Sequence, residues 1–125
     1  MVTETYESYA VNAFIPAGTS LMGITYTSFP AGTQGRIDNL FNRIGKQSLA
    51  LSRLPDDALD GFFLAGDSFS VTFARPISAV GIFFNTTATL TTGDLFINTP
   101  AGAAGTGGPV SNYDAGGLFF CRTHL

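Results

Sequence analysis

The chain has 125 residues, a net charge of −3 and a charged fraction of only 12%. That length suits one domain, 1–125, whose core needs no disulfide or metal. One lysine, Lys46, and scattered arginines make no basic stripe, which argues against nucleic-acid binding. Few charges, 13% aromatics and 15 glycines favour short strands joined by turns, since helices would carry more Glu, Lys and Arg.

Taken in chain order, residues 6–11 are aromatic and β-branched and read as a first strand. Pro16-Ala17-Gly18-Thr19 reads as a turn. In residues 22–29, alternation puts Met22, Ile24 and Tyr26 on one face of a second strand. Residues 30–35 read as another turn. Ile37, Leu40, Phe41 and Ile44 fall at helical spacing, so 37–44 is compatible with one short helix or with an irregular loop. Residues 48–52 form a short strand and 55–61 a polar loop. The clearest strand is 68–73, with Phe69, Val71 and Phe73 on one face and Ser68, Ser70 and Thr72 on the other. Arg75-Pro76 interrupts it. Residues 79–84 are apolar on both sides, as a central strand would be. Residues 89–91 and 95–98 flank Thr92-Gly93-Asp94 as a hairpin. The Gly- and Ala-rich stretch 99–109 reads as a loop. Residues 118–121 read as the beginning of a last strand, which is expected to be incomplete.

Strands of this length between turns imply an all-β, antiparallel two-sheet sandwich, jelly-roll-like in outline. An incomplete final strand leaves an edge open to pairing with another copy. No apolar run reaches the roughly 18–20 residues that span a bilayer. Residues 1–5 lack the basic and apolar regions of a signal peptide.

Few residues can carry chemistry. His124 is the only histidine and sits near a terminus, where side chains are usually solvated, so His-based triads and His/Cys zinc sites are not expected. Cys121 is the only cysteine and suits a strand interior. Asp56, Asp57 and Asp60 cluster in one loop, with Asp94 and Asp114 apart. Paired carboxylates could serve a glycoside hydrolase, but Asp also caps turns. Loop oxygens suit a structural calcium, with Glu7 and Asp67 as candidate ligands. The glycines at 102, 105, 107 and 108 lack the Gly-Lys-Ser of a phosphate loop. Asn85-Thr86-Thr87 matches a glycosylation acceptor, a triplet common by chance. Tyr6, Tyr9, Tyr26 and Tyr113 could stack on sugar rings or simply pack at core edges.

Several segments resemble extracellular β-sandwich domains of bacterial PEP-CTERM sorting-signal proteins. They are Tyr6-Glu7-Ser8-Tyr9, Gly23-Ile24-Thr25-Tyr26, the run from Gly66-Asp67-Ser68 through Arg75-Pro76-Ile77-Ser78-Ala79-Val80-Gly81 to Phe84, and 113–120. The resemblance spans about 6–120, but the sorting tail of that group is absent. It implies an exported or envelope-associated bacterial domain, secreted or held at the cell surface, with no assigned activity. The expectation is therefore a non-catalytic surface or matrix module whose partner is a polysaccharide or a surface protein. A carbohydrate-binding module using exposed tyrosines is the first alternative, and a carboxylate-dependent glycoside hydrolase the second.

Overall fold

A strand with one apolar face needs a second sheet to cover that face. The computed structural model describes residues 4–39, 47–53, 63–86, 89–107, 109 and 115–121, with Ala115, Phe119 and Cys121 described by backbone alone. The described residues contain no helix and are all-β. In chain order the strands are β1 (Phe14–Ile15), β2 (Thr19–Leu21), β3 (Ile24–Ser28), β4 (Thr33–Asp38), β5 (Ser48–Arg53), β6 (Ser70–Phe73), β7 (Ala79–Asn85), β8 (Phe96–Thr99), β9 (Gly102–Gly105) and β10 (Ala115–Cys121). They fall into two compact units, the first holding β1 to β6 and the second β7 to β10.

The first unit is a sandwich of two antiparallel three-stranded sheets, ordered β1-β4-β5 and β2-β3-β6. Ile15 and Ile37 come from one sheet and Tyr26 from the other, and together they form the buried centre. Leu49, Leu21, Ile24, Val71, Phe29 and Phe69 pack around them. In β5, Ala50, Leu51 and Ser52 are all buried, so this strand is covered on both faces.

Two turns in this unit share one sequence. Pro16-Ala17-Gly18-Thr19 and Pro30-Ala31-Gly32-Thr33 each close with a Thr N–H donating to the proline carbonyl, at 3.1 and 3.0 Å. The threonine hydroxyl donates to the same carbonyl, at 2.6 and 2.7 Å. Glycine is needed at the third position because φ is +92° at Gly18 and +73° at Gly32. The β2–β3 hairpin turns on Met22-Gly23, both at positive φ (51° and 79°), the type I′ geometry that suits strand twist.

The second unit holds two antiparallel pairs, β7 with β10 and β8 with β9. Phe83 faces Gly117 and Phe84 faces Gly116 across the β7–β10 ladder. Phe120 of β10 lies over Gly102 of β9. Missing side chains on the glycines thus make room for aromatic rings.

Several expectations are corrected. Residues 6–11 are turns and not a strand, because Tyr6 and Asn12 adopt φ of 61° and 70°, outside the β region. The second turn is shorter than expected, since β4 begins at Thr33. Ile37 and Asp38 end that strand, so the helical reading of 37–44 fails at its start; 40–44 lie outside the described residues. Residues 79–84 form a two-stranded pair with Phe83 58% exposed, which is not a doubly covered central strand. The partner of β8 is β9, inside the stretch expected to be a loop, and not 89–91. The last strand begins earlier than expected, at Ala115, and pairs with β7 along all seven described residues. The polar loop 55–61 lies outside the described residues.

Candidate functional site

A group of hydrogen-bonded polar side chains lies where residues 4–9 meet the first unit's core. The Tyr6 and Tyr26 hydroxyls share a hydrogen bond of 2.6 Å. Tyr26 is only 2% exposed, and its ring stacks 6.1 Å from Phe29 and 6.3 Å from Phe69. Such a ring offers no face to a sugar. Tyr6 and Tyr9 pack against the same core, and Tyr113 lies outside the described residues. Three of the four candidate tyrosines are therefore brought together, by apolar packing.

Glu4 and Gln47 complete the group. Glu4 Oε1 accepts the Tyr6 N–H at 2.6 Å, and its Oε2 is buried without a hydrogen bond. The Gln47 side-chain amide donates to the carbonyls of Tyr6 (2.6 Å) and Tyr9 (2.8 Å). Burial pushes the Tyr6 phenol far above the ordinary tyrosine range, reinforced by Tyr26 and then by Glu4. Burial also raises Tyr26, partly offset by its bond to Tyr6. Neither phenol can act as a base near neutrality, because a base must first lose its proton.

The two candidate calcium ligands have separate protein partners. Glu7 Oε1 accepts the Gln47 backbone N–H at 2.9 Å. Asp67 Oδ2 accepts from Arg53 at 2.9 Å and from the Leu64 N–H at 2.8 Å. Among the described residues no three His, Cys, Asp or Glu side chains group as a metal site would require. Asp94 caps its own turn, accepting from the Thr91 N–H (2.7 Å) and hydroxyl (2.9 Å). Those bonds hold its carboxyl below the usual carboxylate range. Asp56, Asp57, Asp60 and Asp114 lie outside the described residues.

Comparison with protein-family models, with curated proteins and with solved structures gave no match.

Sequence reasoning missed Glu4, Gln47 and the buried Thr106. Thr106 Oγ1 donates to the Thr91 carbonyl at 2.7 Å, while its backbone bonds Gly93 and Leu95. No motif marks these residues: Gln47 and Thr106 are recruited by partners far away in the chain, and Glu4 bonds its near neighbour Tyr6. The described residues contain no helix long and apolar enough to cross a membrane.

Proposed function

We propose that the chain is a non-catalytic interaction module of an exported or envelope-associated bacterial protein. One observation carries this reading. Glu4, Glu7, Asp67 and Asp94 each accept a hydrogen bond from a backbone N–H, so these carboxylates hold chain segments in place. A hydrolase instead needs two carboxyls facing one another across a cleft. The resemblance of 66–84 and 113–120 to PEP-CTERM sandwich domains supports export.

The test joins binding and turnover. A thermal melt is run with calcium, with EDTA and with a panel of polysaccharides. Reducing-end release is followed for the parent chain and for Asp57→Ala and Asp60→Ala. A ligand that binds only the folded chain raises the melting midpoint by mass action. The module reading expects no turnover from the parent chain. Polysaccharide cleavage that either substitution abolishes would overturn it in favour of the hydrolase. A rise with one polysaccharide and no cleavage would make that sugar the partner.

A further inference from the structure

Residues 4–13 cross the first unit without joining a sheet. They lay Tyr6, Tyr9 and Ala13 on its core. Their own backbone bonds are local turns, from Tyr9 N–H to the Tyr6 carbonyl and from Ala13 N–H to the Ala10 carbonyl. Two backbone bonds tie them to β4. The Asn12 N–H donates to the Ile37 carbonyl at 2.8 Å, and the Ile37 N–H donates to the Ala13 carbonyl at 2.9 Å. Further attachments run through side chains, among them the Tyr6–Tyr26 hydroxyl pair, the Gln47 amide on two carbonyls, and Glu7 on the Gln47 N–H.

The segment also holds strain. Tyr6 (φ 61°) and Asn12 (φ 70°) sit in the left-handed region, which disfavours any residue with a Cβ and Tyr more than Asn. Releasing the segment relieves both. A sheet strand gains a ladder bond at nearly every position, whereas among the described residues this segment makes two backbone bonds to a sheet and is otherwise held by side chains. Local opening free energy follows that difference.

We propose that residues 4–13 are a latched strap that opens as one unit while the two sheets beneath it stay folded, with Gln47 as the latch. Gln47 holds both ends of the Tyr6–Tyr9 turn through a single amide, so losing it frees both at once. Opening bares the Tyr26 hydroxyl and the β4 edge at Ile37, two groups the closed strap satisfies.

Amide hydrogen exchange on the full chain tests this. The Asn12, Ile37 and Gln47 amides should share one exchange rate, faster than those of the β4–β5 and β3–β6 ladders. Gln47→Ala removes two hydrogen bonds and should speed exchange at Asn12 and Ile37 about tenfold or more, leaving the β3–β6 ladder unchanged. Tyr6→Phe, which removes only the hydroxyl pair, should give a smaller rise at the same amides and serves as the readout if Gln47→Ala does not fold. The proposal fails if the strap amides exchange at the ladder rate in the parent chain. It also fails if the substitution that folds speeds strap and ladder equally.

Discussion

Gly18 and Gly32 stand at the third position of two turns with the same four residues, and nothing lies within 4 Å of where a Cβ would go on either. Alanine there meets no steric obstacle, so its cost is that of positive φ alone. Gly18→Ala and Gly32→Ala should each lose about 1 kcal/mol, read from urea midpoints. The double variant should lose close to the sum if the turns are independent. Gly35 differs, because a Cβ there would sit 2.8 Å from a Phe29 ring carbon and 3.0 Å from the Ile15 Cβ. Its backbone is ordinary and its space is full. Gly35→Ala should therefore cost about 1–3 kcal/mol by overpacking. Met22 presents the opposite opportunity. It is 58% exposed and occupies the first position of a type I′ turn, which Asn tolerates better. Met22→Asn should raise stability by about 1 kcal/mol. An unchanged or lowered midpoint would mean that the exposed thioether makes a contact worth more than the strain.

Among the elements, those with strong internal patterning were the legible ones. β6 alternates Ser70, Val71, Thr72, Phe73 with matching alternation of exposure, and Val71 packs on the core from its apolar face. β9 is Gly-Ala-Ala-Gly, a composition with poor strand propensity. Its pairing with β8 and the Phe120 ring over Gly102 define it, and both partners are remote from it or invisible to local patterning. The reverse error occurred at 6–11, where strand-forming residues are bent by Tyr6 and Asn12 into turns. The candidate site was half legible for the same reason. Tyr6, Tyr9 and Tyr26 stand out by residue type, but their inward packing and the bridge from Gln47 depend on the tertiary fold. Glycine also matters at this scale. A Cβ on Gly116 would come within 2.5 Å of Phe84 Cζ, the cross-strand neighbour in the β7–β10 ladder. Gly116→Ala should displace that ring and cost about 1–3 kcal/mol. In the same ladder, Gly117→Ala should cost less, because a Cβ there meets the Phe83 ring at 3.3 Å, well beyond the 2.5 Å at Gly116.

At the scale of the whole molecule, the buried phenols make stability depend on alkali. The unfolded chain releases phenol protons near pH 10.0, the unperturbed value. In the folded chain, burial raises both Tyr6 and Tyr26 above that value. Above pH 10 the folded state therefore holds more protons than the unfolded state, and stability falls as pH rises. Below pH 10 both states keep these protons, so the pair adds a pH-independent contribution. Tyr6→Phe separates the two effects. At neutral pH it removes one hydroxyl of the 2.6 Å pair and strands the Tyr26 hydroxyl in the core, which should cost about 1–2 kcal/mol. Above pH 10 it also removes one of the two raised groups. Urea midpoints of parent and variant should then converge as pH climbs from neutral towards about 11, the parent falling more steeply. Parallel curves would mean that the Tyr6 phenol ionises alike in both states and is not held in the core. Convergence with no neutral-pH cost would keep the burial but show that the hydroxyl pair contributes nothing to stability.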